Sequence, residues 1–217
     1  MQNQLKSILA KQALSLLKPN MVLGLGSGST LEVFAQMLVG FLRENPMPIR
    51  VVSSSDRISD IVASLSVVPL DQVDEIDLTI DGLDYVNLQT GLVLKGNGGA
   101  LYLEKKLAIK SNRVLLMADE RKLEFSYSPK LMVEFSPDFI EELNQLGFKA
   151  REQISDSGNL VVECPLKHEL EIFKLRDKLI TTQGYLDDGD FSGLVNEVWI
   201  AYNGGEIKKF KLKDEYN

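Results

Sequence analysis

The sequence predicts an α/β protein: a doubly wound, mostly parallel sheet with a smaller α+β domain inserted near the C-terminus. Three observations carry that expectation. Short apolar runs of strand length alternate with longer runs of helical periodicity as far as Met117. Polar loops follow three of those apolar runs, where open α/β sheets place their ligands. From about Lys130 the order of elements changes.

The first element is an amphipathic helix. Leu5, Ile8, Leu9, Ala13, Leu16 and Leu17 fall at helical spacing, with Gln4, Lys6, Lys11 and Gln12 between them. It is too polar for a secretion signal. Pro19-Asn20 marks a turn, and Met21 to Leu25 is a short buried strand. Gly26-Ser27-Gly28-Ser29-Thr30 leads into a largely apolar helix from Leu31 to Leu42. Strand Ile49 to Val52 runs into Ser53-Ser54-Ser55-Asp56; Asp56 to Leu65 is a helix and Val67 to Leu70 a short strand. Ile76 to Ile80 is an apolar strand that puts Asp81 and Asp84 just past its end. After Gly98-Gly99 a helix carries Ala100, Leu101, Leu103, Leu107 and Ala108. Strand Arg113 to Met117 is followed by Ala118-Asp119-Glu120-Arg121-Lys122.

The later part is expected to contain strand Leu131 to Phe135, helix Pro137 to Leu146 and strand Phe148 to Ile154. Strand Leu160 to Cys164, helix Glu169 to Thr182 and strand Val195 to Tyr202 follow. The β-α-β-β-α-β order is ferredoxin-like. It assigns 129–202 to a smaller domain, and 1–128 with 203–217, including a last strand Ile207 to Phe210, to a Rossmann-like domain.

Composition narrows the chemistry. A net charge of −7 argues against general nucleic-acid or membrane-surface binding. No run is long enough for a membrane span, so a cytoplasmic protein is expected. Cys164 and His168 are the only cysteine and histidine, which excludes an internal disulfide and a multi-histidine metal site within the chain. His168, at the start of a predicted helix, is read as a surface or capping residue. Carboxylates, lysines, hydroxyls and backbone must do the work.

The loop Gly26 to Thr30 is a strand-to-helix turn whose amides and hydroxyls suit an anion. It lacks the lysine of a Walker loop. It also lacks the last glycine of a dinucleotide fingerprint, since Gly24-Leu25-Gly26-Ser27-Gly28 is followed by Ser29, and the second strand ends without an acid. Phosphate binding survives these tests and a nucleotide-binding oxidoreductase is demoted.

The strongest anomaly lies between Asp81 and Glu104. On a helical wheel of about 100° per residue, Glu104 falls in the middle of an apolar arc, flanked by Ala100, Leu101, Leu107 and Ala108. Tyr102, Lys105 and Lys106 are expected to face away. A carboxylate in the centre of a buried stripe is costly unless something requires it. Each residue alone has a plainer reading: Asp81-Gly82 and Asp84 as turn formers, Lys95 and Lys122 as solvated lysines. Ser27 to Thr30 would then be a helix cap, Tyr85 a packing residue, and Glu104 a structural ion-pair partner.

Together, these motifs resemble the A-type ribose-5-phosphate isomerase family. The matching segments are GLGSGST (Gly24 to Thr30), SSSD (Ser53 to Asp56), DGLD (Asp81 to Asp84), KGNGGALYLEK (Lys95 to Lys105), ADERK (Ala118 to Lys122) and DSGN (Asp156 to Asn159). The resemblance runs nearly end to end. It implies conversion of ribose 5-phosphate to ribulose 5-phosphate without cofactor or metal, by a homo-oligomer, commonly a dimer. Glu104 matches the proton-abstracting base, with Asp81, Asp84 and Lys95 beside it as catalytic groups. Ser27, Gly28, Ser29, Thr30, Asp81, Gly82, Leu83, Asp84, Lys95, Gly96, Asn97, Gly98 and Lys122 match substrate-contacting positions, and Lys6 a phosphate-facing lysine. The chain departs from the family pattern at Leu83, Tyr85 and Asn97. Those departures motivate the rival reading, a non-catalytic or altered-specificity sugar-phosphate binder. Asn97 replaces a loop glycine, a position where asparagine tolerates left-handed backbone.

Overall fold

The computed structural model describes residues 2–123 and 129–212. The expected domain limits within 1, 124–128 and 213–217 therefore lie outside the described residues. The chain opens with α1 (Gln2–Leu14), β1 (Val22–Leu25), α2 (Gly28–Glu44), β2 (Arg50–Ser53), α3 (Asp56–Ile61) and β3 (Ser66–Val67). Next come β4 (Leu78–Gly82), a small hairpin of β5 (Tyr85–Val86) and β6 (Val93–Leu94), α4 (Leu101–Ile109) and β7 (Val114–Asp119). Then follow β8 (Lys130–Phe135), α5 (Ile140–Gln145), β9 (Leu160–Pro165), α6 (Glu171–Leu179), β10 (Tyr185–Asp188), β11 (Glu197–Ala201) and β12 (Ile207–Lys211).

Seven strands form one sheet in the order β12-β11-β7-β4-β1-β2-β3. All neighbours in it are parallel except β11 and β12. The order reverses between β1 and β4: the chain moves from β1 to β2 and β3 on one side, then returns to place β4 and β7 on the other. Ligand sites of open α/β sheets form at such a reversal, outside the carboxyl ends of the strands. Leu25 pairs with Ile80 there, so the loops after β1 and β4 emerge side by side. The central strands are buried on both faces, and α1 and α2 cover one face through Leu9, Ala13, Phe34 and Leu38.

The second sheet has three antiparallel strands in the order β10-β8-β9. Two sequence expectations need correction. Phe148 to Ile154 forms no strand; Ala150 bridges to Val162, and the chain then leaves β9, with the Arg151 side chain and the Asp156 amide reaching the glycine loop at Asn97 and Gly99. Val195 to Tyr202 does not close the smaller unit, since β11 pairs in parallel with β7. Apolar content marks a strand but does not name its partner. The third strand of the smaller sheet is instead β10, whose half-polar sequence gave no strand signal. No helix among the described residues is long and apolar enough to cross a membrane.

Candidate active site

Four segments converge at the β1/β4 reversal around a cleft of about 270 Å³. Every expected site residue except Asp81 and Lys6 lines it: Ser27 to Thr30, Gly82 to Asp84, Lys95 to Gly98, Glu104 and Lys122. The segments converge because β1, β4 and β7 are adjacent, so their C-terminal loops share one edge.

Glu104 lies one turn into α4 and is 4% exposed. Its Oε1 accepts a hydrogen bond from Ser27 Oγ at 2.6 Å. Its Oε2 stands 3.2 Å from Lys95 Nζ, off the hydrogen-bond direction, and is buried without a directed donor among the described residues. Ser27 occupies the N-cap position of α2 yet makes no side-chain capping bond, because its hydroxyl is committed to Glu104. The amides of the first turn of this 17-residue helix have no intrahelical partners, and Gly28, Ser29 and Thr30 face the cleft.

Asp81 sits beneath the cleft, not in its wall. Its Oδ1 accepts from the Ser27 and Gly82 amides at 3.2 and 2.6 Å, and its Oδ2 pairs with Lys95 Nζ at 2.9 Å. A Cβ at Gly26 would fall on this carboxylate, which is why the turn needs glycine there. Asp81 is also the last but one residue of β4, within the strand. Burial and the neighbouring Glu104 charge push the Asp81 carboxyl up to about 7, against the pull of Lys95. Burial draws the Lys95 ammonium down, but Asp81, Glu104 and Asp84 together raise it above the usual lysine range. Lys95 also donates to Gly82 O at 2.7 Å and is therefore a fixed cation.

Asp84 is the second carboxylate in the cleft wall. Its Oδ2 accepts from the Asn97 amide at 2.9 Å, and its Oδ1 lies 3.6 Å from Lys122 Nζ. Lys6 reaches the rim from α1 and donates to Ser29 Oγ at 2.7 Å. The glycine loop takes its left-handed turns at Gly96 and Gly99, with φ of 107° and 85°, and Asn97 has no positive φ. Asparagine's tolerance of left-handed backbone is thus not what admits it. Its carbonyl and side-chain oxygens accept from Arg151 at 3.0 and 2.6 Å.

Sequence reasoning missed several supports. Lys105 does not face away: it is buried, donating to Asp187, Asp188 and the Asp188 carbonyl on β10. The smaller sheet lies over that side of α4, and an isolated helical wheel has no knowledge of it. Gly189 O accepts from the Lys95 amide at 2.9 Å, and Phe191 lies under the Lys95 ammonium. Tyr85 packs in the smaller core as expected, and its hydroxyl donates to Glu169 at 2.6 Å. His168 is exposed, beside Glu171. Among the described residues no group of three or more His, Cys, Asp or Glu is placed to hold a metal ion.

Comparison with known proteins identifies the family. Residues 50–205 match the model of the family described as ribose 5-phosphate isomerase A (phosphoriboisomerase A). The ribose-5-phosphate isomerase A of Archaeoglobus fulgidus is 35% identical, over 88% of this chain and 92% of its own length. That of Staphylococcus haemolyticus is 30% identical, over 93% and 94%. Among solved structures, ribose 5-phosphate isomerase A from Methanocaldococcus jannaschii superposes with a TM-score of 0.82 at 27% identity, covering 95% of this chain and 98% of its own. A D-ribose-5-phosphate isomerase in complex with phospho-erythronic acid gives 0.82 at 28% identity, covering 97% and 99%. This chain belongs to the ribose 5-phosphate isomerase A family.

Proposed function

We propose that the cleft interconverts ribose 5-phosphate and ribulose 5-phosphate through an enediolate, as a step of the non-oxidative pentose phosphate pathway. The observation that carries this reading is the buried Glu104 carboxylate in the cleft wall, oriented by Ser27 on one oxygen and facing Lys95 with the other. Family membership gives the reaction; the side-chain geometry supports the following roles.

Glu104 takes the C2 proton of the open-chain aldose and returns it to C1. As the C2–H bond breaks, electron pairs shift toward O1, and negative charge develops there. Lys95, held as a cation against Asp81 and Gly82 O, stabilises that charge with the nearby loop amides. The hydroxyl proton of O2 passes to O1, and return of the first proton to C1 as the carbonyl forms at C2 completes the exchange without net oxidation. Asp84, the carboxylate facing the cleft, holds sugar hydroxyls and assists ring opening; Asp81, facing away, sets the charge and position of Lys95. The first turn of α2, Lys122 and Lys6 grip the phosphate, whose binding energy orients the far end of the sugar. A cytoplasmic homodimer built from the two sheet units, the smaller beginning near 129 and ending before β11, completes the reading.

The rival reading, an altered-specificity binder, draws on Leu83 and Asn97, which both line the cleft. One experiment separates the two. Purified protein mixed with ribose 5-phosphate in deuterated water is expected to form ribulose 5-phosphate and to exchange the C2 proton. Glu104→Gln is expected to lose both while still binding inorganic phosphate. Binding by the parent protein without turnover would overturn the isomerase assignment, and turnover by the variant would place the base elsewhere.

A further inference from the structure

Helix α4 carries Glu104 but begins without a cap of its own: the residue at its N-cap position is Ala100, which has no side chain to offer. The acceptor comes from the other sheet. Along β8, Leu131, Val133 and Phe135 enter the smaller core, while Met132 and Glu134 alternate to the opposite face. Glu134 is 0% exposed. Its Oε1 accepts from the Tyr102 amide in the first turn of α4 at 3.1 Å. Its Oε2 accepts from Ser155 Oγ at 2.9 Å and Asn159 Nδ2 at 2.8 Å. The turn holding those two donors also contacts the glycine loop, because the Asp156 amide donates to Gly99 O at 2.8 Å. One residue before Tyr102, Leu101 packs with Met132 where Gly96 leaves no room for a Cβ.

A carboxylate removed from water with three neutral donors is costly to bury and strongly directional once satisfied. Its charge also favours the positive end of the helix. We propose that Glu134 is a positioning residue for isomerisation: from the smaller sheet it fixes the start of α4 and the Ser155–Asn159 turn, and so sets Glu104 against Lys95. This rests on the isomerase reading of the cleft. The phosphate grip lies on the larger sheet and is independent of Glu134, so the two functions separate.

The test compares the parent protein with Glu134→Leu, Glu134→Gln and Asn159→Ala. Glu134→Leu is expected to lower kcat about 100-fold, the scale of a small misplacement of reacting groups, with KM changed by less than about threefold. Phospho-erythronic acid should still titrate one site per chain, which separates misplacement from loss of folded protein. Glu134→Gln keeps the acceptor for Tyr102 and should restore most of kcat. Retained kcat per titratable site in Glu134→Leu would overturn the proposal. If Glu134→Leu does not fold, Asn159→Ala decides: an approximately tenfold fall in kcat at unchanged KM supports the role, and unchanged kcat overturns it. Absence of turnover in the parent protein would instead overturn the isomerase reading.

Discussion

Lys95 and Lys105 share one aromatic ring: their ammonium groups lie 5.5 and 5.4 Å from the centroid of Phe191. Their polar shells are nearly the same. Lys95 meets Asp81 at 2.9 Å, Glu104 at 3.2 Å and the Gly82 carbonyl at 2.7 Å. Lys105 meets Asp187 at 2.8 Å, Asp188 at 3.2 Å and the Asp188 carbonyl at 2.7 Å. A buried lysine between two carboxylates is therefore not in itself a catalytic arrangement. Two things set the clusters apart. Lys95 opens onto the cleft, and the Lys105 cluster contains a second cation, Arg176, bonded to Asp188 and Asp190. Burial pushes the Asp188 carboxyl up, but Lys105, Arg176 and the Tyr185 hydroxyl more than offset it and hold it below the usual range. Asp81 has Lys95 but no second cation, stands beside the Glu104 charge, and is raised to about 7. The Asp188 carboxyl is held down, whereas that of Asp81 is raised toward neutrality.

The largest expected difference is in rate. Glu104→Gln should lower kcat by about 1,000-fold or more, the upper part of the range for a general base. Lys95→Met should lower it by about 100- to 1,000-fold through loss of the enediolate donor. Steady-state assay with ribose 5-phosphate checks both, and activity within tenfold of the parent would dissolve the distinction between the clusters. Lys105→Met should behave in the opposite way. It leaves the partly exposed Asp187 without its cation and Asp188 with Arg176 alone, so unfolding free energy should fall by about 1–3 kcal/mol, while the molecules still folded turn over at close to the parental rate. Urea melts beside the same assay read the two effects separately.

Much of the Lys95 cluster is legible in the chain because its signals are local. The Gly26–Thr30 turn, the acids after an apolar strand and the misplaced Glu104 each stand out within a few residues, and adjacency of β1, β4 and β7 brings them together. The supporting cluster is not legible. Lys105 and Glu134 occupy the polar phase of a helix and a strand, where periodicity assigns them to solvent, and a second sheet covers both. Asp187, Asp188 and Asp190 read as a surface acidic run until Arg176 and Lys105 are placed beside them. The strand order fails for the same reason: β11 is recognisable as a strand, but the partner that draws it to the larger sheet, β7, lies some 80 residues earlier.

The charge states supply a finer comparison. Asp81 has a raised carboxyl in the folded protein, so the native state binds that proton more tightly than the unfolded chain. Its contribution to stability is complete below the ordinary value of 3.8 and is lost as pH climbs through about 7. Asp81→Asn removes this dependence. The variant's unfolding free energy should decline less than the parent's between pH 4 and pH 8. Parallel stability curves across that window would show that Asp81 does not titrate there.

The smallest expected effect falls on Arg176, whose guanidinium is 36% exposed and whose pairings are correspondingly screened. Arg176→Gln should cost about 1 kcal/mol at neutral pH. Asp188 is held below its ordinary value, so the sign is opposite to that of Asp81. Its contribution is present above the unfolded value near 3.8 and is lost as pH falls through the folded one. The deficit of Arg176→Gln should therefore be seen at pH 7 and shrink in acid, below pH 4. A deficit that instead stays the same in acid would mean that Arg176 stabilises β10 by packing against its neighbours, and that the second cation is not what holds the Asp188 carboxyl down.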